Sequence, residues 1–176
     1  MGAVTSILKW AFASGKKASI LILGLDASGK TTLLYRLKTA ETYSTVPTIG
    51  FNAEEITHGR LTFTCFDIGG QDKIRKLWHH YFTNSDAVVF VVDSSDQSRF
   101  PEVKNELTKL FNHPSLQEVP FLIFANKQDL PGACRTDKFI RELGLHAVRR
   151  NWKVAESTAT QGIGIEEGFD WLSSVL

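Results

Sequence analysis

The sequence predicts an α/β fold, a mostly parallel β-sheet with one antiparallel edge strand and helices on both faces. Three observations carry that expectation. Short β-rich runs alternate with helical patterns along the chain. The runs 18–24 (ASILILG), 87–93 (AVVFVVD) and 119–125 (VPFLIFA) are apolar almost throughout, as strands covered on both faces are. Only Gly59-Arg60 separates the runs 51–58 and 61–67, which marks a hairpin at the sheet edge.

Composition bounds the rest. At 176 residues the chain suffices for one well-buried domain. Hydrophobic residues at 43% and charged residues at 22% are ordinary for a globular protein. A net charge of +1 gives no overall field for nucleic acid, so none is expected as a partner, and any membrane attraction must be local. Cys65 and Cys134 make no disulfide framework and suit a reducing, cytoplasmic compartment. No apolar stretch approaches the ~20 residues of a transmembrane helix, and the N-terminus lacks a secretory pattern. A monomer is expected.

The elements follow in order. A short helix over 3–13 carries Val4, Ile7, Leu8, Ala11 and Phe12 on one stripe, with Thr5, Ser6 and Lys9 opposite. Strand 18–24 leads into a helix over 29–39. After the hairpin come a helix over 72–83, strand 87–93, a helix over 98–112, strand 119–125, a helix over 136–142, strand 152–157 and a helix over 165–175. The stripe Ile165, Phe169, Leu172 and Leu176 reads as core packing. Residues 1–17 thus form an amphipathic segment and 18–176 one six-stranded domain. Ligands of such folds bind at the carboxyl ends of strands, where the polar motifs fall.

Gly24-x4-Gly29-Lys30-Thr31 fits the phosphate-binding P-loop pattern, with a strand before it and a helix after it. Glycines let successive backbone N–H groups converge on phosphate oxygens, Lys30 supplies a point charge, and the Thr31 hydroxyl suits Mg²⁺. Asp26, Ala27, Ser28 and Thr32 complete the candidate contacts. An accidental strand–turn–helix joint rarely meets the whole pattern in this context.

Asp67-Ile68-Gly69-Gly70-Gln71 closes the strand 61–67. Asp67 can hold Mg²⁺ through water, Gly70 can bring its N–H against a terminal phosphate, and Gln71 can orient an attacking water. Alone, Gly-Gly is a plain turn; its order after the P-loop gives it weight.

Asn126-Lys127-Gln128-Asp129 follows the strand 119–125. A carboxylate at Asp129 accepts two hydrogen bonds from guanine, where adenine offers neither donor, a discrimination of ~1–3 kcal/mol. The Lys127 stem can lie along the base, and Ala159-Thr160 can back it with a backbone N–H.

Together GLDASGKTT, VPTIGFN, DIGGQ, NKQD and ATQGIGIEEGFDWL resemble the Arf (ADP-ribosylation factor) family of small GTPases, essentially end to end. The resemblance implies a Ras-like G domain that binds GTP or GDP with Mg²⁺ and hydrolyses GTP slowly. It promotes Thr48 from a Pro-stiffened loop residue to a ligand of Mg²⁺ beside Thr31. No arginine is evident near the terminal phosphate, and without one hydrolysis lacks a factor of roughly 10³ to 10⁵. An activating protein is therefore implied, with an exchange factor and with effectors or coat proteins that read an aromatic patch of Phe51, Phe66 and Tyr81. Phe66 stands where the family usually has Trp, Ser28 replaces a small apolar residue, and Lys76 replaces a proline.

Met1-Gly2-Ala3-Val4-Thr5-Ser6 fits the N-myristoylation pattern, with Gly2 as acceptor. One myristoyl chain binds membranes only marginally, so the 3–13 helix would be the second signal. Burying its apolar stripe yields about 5–8 kcal/mol after discounting the wet face. Ordering about ten residues costs a comparable amount. Such a helix can move between a protein groove and a bilayer, and the resemblance implies that GTP drives that exchange as the hairpin slides in register. The expected setting is cytoplasmic and reversibly bound to Golgi or other endomembranes.

Cys65 with His79-His80 has the wrong spacing for a zinc module. The terminal Ser-Ser-Val-Leu lacks a prenylation cysteine. Asp129 argues against an ATP-dependent kinase, and Gln71 with Thr48 against a scaffold that binds GTP without hydrolysis.

Overall fold

The computed structural model describes residues 16–39, 51–58 and 61–176. In chain order they form β1 (Lys16–Leu23), α1 (Lys30–Thr39), β2 (Phe51–His58), β3 (Leu61–Ile68), α2 (Asp72–Arg75), β4 (Ala87–Asp93), α3 (Phe100–Phe111), β5 (Phe121–Asn126), α4 (Thr136–Leu143), β6 (Trp152–Glu156) and α5 (Ile165–Val175). The strands make one six-stranded sheet in the order β2-β3-β1-β4-β5-β6. All neighbours are parallel except β2 and β3, whose antiparallel ladder runs from Phe51↔Ile68 to His58↔Leu61. The expected edge hairpin is therefore present.

Alternation along the central strands sorts the core into two layers. Leu21, Leu23, Val88, Phe90, Val92, Phe121 and Ile123 face one side and pack with Val103 and Leu107 of α3 and Phe139 of α4. Ile20, Ile22, Val89, Val91, Leu122 and Phe124 face the other, against Leu33 and Leu34 of α1 and Phe169 and Leu172 of α5. Each fully buried side chain of this size contributes ~1.5–3 kcal/mol. Doubly covered strands explain the near-continuous apolar runs. The C-terminal stripe is core, as expected: Ile165, Phe169 and Leu172 are buried and Leu176 packs against them.

Several boundaries differ from the expected ones for local reasons. β1 already runs at Lys16, the first described residue of its segment, where Lys16 pairs with Leu61 of its parallel partner. β5 starts at Phe121 because Pro120 has no N–H for the ladder, though its carbonyl still accepts from Val88. α3 begins at Phe100 after a 3₁₀ turn at Gln97–Arg99, and Pro101 sits in its first turn, where a missing N–H costs nothing. The helix expected over 72–83 is broken. α2 ends at Arg75, and the chain tightens into a 3₁₀ turn at Trp78–Tyr81. There Trp78 is buried, its indole N–H donates to the Gly69 carbonyl at 3.2 Å, and its ring meets Phe90 edge-on at 6.2 Å.

Among the described residues, no helix is long and apolar enough to cross a membrane. The expected helix over 3–13, Gly2 and Thr48 lie outside the described residues.

Candidate functional site

Three loops meet at the carboxyl ends of β1, β3 and β5. The first runs from Gly24 to Gly29 between β1 and α1. Gly24 has φ +147° and Gly29 φ +98°, both in the region that favours glycine. A Cβ on Gly24 would collide with the Val91 carbonyl oxygen, and one on Gly29 with the Asn126 side-chain amide. Ala27 between them is also left-handed, at φ +59°. Lys30 is 6% exposed and donates its Nζ hydrogen to the Leu25 carbonyl at 2.8 Å, which holds the ammonium inside the curve of the loop. α1 starts at that lysine, so its positive dipole end faces the same hollow. Ser28 is buried, its hydroxyl has no hydrogen-bond partner, and it lines a cavity of about 40 Å³ behind the loop with Asp93 and Arg99.

The second loop follows β5, and Asn126 is its centre. This side chain is 2% exposed. Its Nδ2 donates to the Ser28 carbonyl at 2.9 Å, and its Oδ1 accepts from the Ser157 hydroxyl and the Ala159 N–H, each at 3.0 Å. One amide thus ties the P-loop, the β5 loop and the β6 loop together. Asn126 and Ala159, both expected beside the nucleotide, are also bonded to one another. Lys127, left-handed at φ +64°, donates to Asp93 Oδ2 at 2.7 Å, so its ammonium is anchored on the end of β4. Burial raises the Asp93 carboxyl, but hydrogen bonds from Lys127 and Ser95 outweigh it and hold it below its ordinary value. Gln128 turns inward onto the Ser94 hydroxyl and the Cys134 carbonyl, each at 3.0 Å. Asp129 and Thr160 are exposed at the rim. That leaves the Asp129 carboxylate open to a ligand's donors.

The third loop leaves β3. Asp67 pairs in register with Ile22, which sets it at the same end of the sheet as Gly24. Gly70 lies directly on the phosphate loop. Its carbonyl accepts from the Asp26 N–H at 3.2 Å, and a Cβ there would collide with the backbone of Gly24, Leu25 and Asp26. Gln71 follows, exposed, and its carbonyl begins α2 by accepting from the Ile74 and Arg75 N–H groups at 2.9 and 3.0 Å. The side chains of Phe51, Phe66 and Asp67 lie outside the described ones; Tyr81 is half-buried against the core.

The sequence reading missed two contributors. Asp93 ends β4 beside Asn126 and anchors Lys127. Arg99 donates to Asp26 Oδ1 at 2.8 Å and to the Asp26 carbonyl at 3.2 Å. The bond from Arg99 holds the Asp26 carboxyl below its ordinary value. An acid at a strand end and an arginine opening a helix carry no spacing signal of their own. Arg99 also donates to Glu102 at 3.0 Å, so its charge is met by two carboxylates and is not free for a transferred phosphoryl group.

The hollow fits phosphates: two glycines whose Cβ positions are occupied, a buried lysine and a helix N-terminus converge on it. Thr31, in the first turn of α1, brings a hydroxyl oxygen, the type of donor that a hard cation takes. Among the described residues no cluster of three His, Cys, Asp or Glu could hold a metal alone. Mg²⁺ in nucleotide sites draws most ligands from phosphate and water, so the donor set fits it.

Comparison with known proteins agrees. The model of the ADP-ribosylation factor family matches residues 4–176. Among solved structures, the Arl6 BBS3 small GTPase from Trypanosoma brucei, with a bound nucleotide analogue GppNp, superposes with a TM-score of 0.85. It shares 39% sequence identity, and the match covers 90% of this chain and 96% of that one.

Proposed function

The chain belongs to the ADP-ribosylation factor family of small GTPases, and from that premise we propose a GTP-operated switch that carries its N-terminal segment onto an endomembrane and recruits effectors or coat proteins there in vesicle traffic. Binding of GTP and GDP with Mg²⁺, hydrolysis of GTP, and dependence on exchange factors, activating proteins and effectors belong to the family as such. The observation that carries the switch reading is the seating of Gly70 on the phosphate loop. What fills that loop acts at once on the segment leading into Gln71.

In this reading Gly24, Asp26, Ala27, Ser28, Gly29, Lys30, Thr31 and Thr32 hold the phosphates, and Asp129 reads guanine through its exposed carboxylate. Asn126 keeps the two ends in register. Thr31 and Thr48, with Asp67 acting through water, would hold Mg²⁺, which would supply charge neutralisation at the phosphates. Gln71 orients the attacking water with an amide that both donates and accepts. Lys30 stabilises charge on the transferred group. Catalysis is positioning and electrostatics without a covalent intermediate.

Membrane coupling rests on Gly2 and the apolar stripe of residues 4–12. The test is flotation of the N-myristoylated protein with liposomes, loaded with GDP or with a non-hydrolysable GTP analogue. Flotation in the GTP-like state alone supports coupled release of the N-terminus. Equal flotation in both states leaves a guanine-nucleotide switch that acts on soluble effectors or with a constant anchor.

A further inference from the structure

We propose that Arg99 is a positioning residue for hydrolysis: through Glu102 and Arg75 it ties the phosphate loop to the helix that Gln71 opens. The proposal rests on the GTPase reading above and assigns the link between its two halves. At one end Arg99 grips both the carboxylate and the backbone carbonyl of Asp26, at 2.8 and 3.2 Å. A bond to the carbonyl matters, because a change of loop backbone there displaces the guanidinium as well. In the middle Glu102 divides its oxygens. Oε2 accepts from Arg99 at 3.0 Å and Oε1 from Arg75 at 2.7 Å, so one carboxylate bridges two guanidinium groups. At the far end the Arg75 side chain is only 8% exposed and also meets Glu106 at 3.3 Å and Asp72 at 3.4 Å. The backbone N–H of the same Arg75 donates to the Gln71 carbonyl.

Exposure decides what this chain does. Arg99 and Glu102 are 29% and 37% exposed, so each pair adds little to stability. Arg75, by contrast, keeps a buried Nε with no hydrogen-bond partner. An unmet buried donor is costly, and it is tolerated where the rest of the group is held in one geometry. Charges alternate along the chain, Asp26, Arg99, Glu102, Arg75, Glu106, so removing one link leaves like charges as neighbours. Such a chain transmits position from its partly exposed end at Arg99 to its buried end at Arg75.

The experiment uses the full-length protein, loaded with GDP for the first of two readouts and with GTP for the second. Amide hydrogen exchange at Ile74, Arg75 and Leu77 reports on α2, and single-turnover hydrolysis at saturating GTP removes affinity from the rate. Arg99→Ala is expected to speed exchange at those amides and to slow hydrolysis about 3- to 10-fold. Glu102→Gln keeps size but not charge and should do the same. The double variant should be no slower than the worse single one, because both cut the same chain. Arg99→Lys should fail to rescue, since one ammonium cannot reproduce the forked contact. Multiplying losses, full rescue by lysine, or unchanged exchange at 74–77 would each overturn the proposal. A wild-type protein without any hydrolysis would refute the GTPase reading instead, and the exchange experiment would still test the link.

Discussion

The two ends of the nucleotide site are built from different materials. The phosphate end is backbone: glycines at φ +147° and +98°, a left-handed Ala27 and a helix N-terminus. The base end is side chain: Asn126 bonded to three segments, Lys127 anchored on Asp93, and Gln128 turned inward. A backbone cradle tolerates almost no substitution but needs few partners. A side-chain bracket can be trimmed atom by atom, and each cut has a measurable share. The ends meet where the Asn126 amide touches the Ser28 carbonyl and blocks a Cβ on Gly29.

The largest effect should come from the backbone end. Gly29→Val forces a β-branched residue to a positive φ and into the Asn126 amide. Strain of ~1–3 kcal/mol plus the clash should cut GDP affinity about 100-fold, read by fluorescent-nucleotide titration. Affinity within a few-fold of wild type would mean that the cradle is softer than its dihedrals indicate.

Next is Asn126→Ala. It leaves the Ser28 carbonyl, the Ser157 hydroxyl and the Ala159 N–H without this partner. A stability loss of ~2–4 kcal/mol is expected in urea denaturation, with faster GDP release. Asn126→Asp keeps the acceptor and loses the donor, so a smaller loss there would apportion the bracket between the two ends.

This contrast also explains what the sequence could disclose. Backbone-built function announces itself, because only glycine serves at Gly24, Gly29 and Gly70, and their spacing is visible in one dimension. Side-chain-built function does not. Asn126 and Ala159 were legible as candidate site residues but not as each other's partner, which depends on β5 and β6 lying side by side. Asp93 and Arg99 were invisible for the same reason: their partners lie 34 and 73 positions away in the chain. The three central strands were legible because burial on both faces writes itself as unbroken apolar runs, and β2 and β3 because Gly59-Arg60 alone separates them. The break after Arg75 was not, since Trp78 and Phe82 keep a helix-like spacing while the backbone tightens to reach Gly69.

A smaller, more selective effect should come from Asp129. Its carboxylate is exposed and makes no hydrogen bond within the described residues. Asp129→Ala should therefore leave the unfolding midpoint unchanged. Inosine nucleotides lack the 2-amino group of guanine, so wild type should prefer GDP over IDP by ~1–3 kcal/mol. The variant should lose that preference and keep its phosphate contacts. A preference that survives would move base recognition elsewhere on the bracket.

The smallest effect is electrostatic and pH-dependent. Burial raises the Asp93 carboxyl, and bonds from Lys127 and Ser95 lower it further than burial raises it. Its folded-state pKa thus lies below the unfolded one. The stabilisation is complete above the ordinary carboxylate pKa, near ~4, and is lost as pH falls through the folded value. With both partners partly exposed, the pair should contribute under about 1 kcal/mol. Unfolding midpoints taken from pH 7 down to pH 3 should therefore fall less steeply for Asp93→Asn than for wild type, and the two curves should converge at the acid end. Lys127→Ala, which removes one of the two partners and leaves the Ser95 bonds alone to oppose burial, should move the acid limb to higher pH. If it moves to lower pH instead, the Lys127 ammonium does not hold Asp93 ionised, and the anchor at the base end is a packing contact.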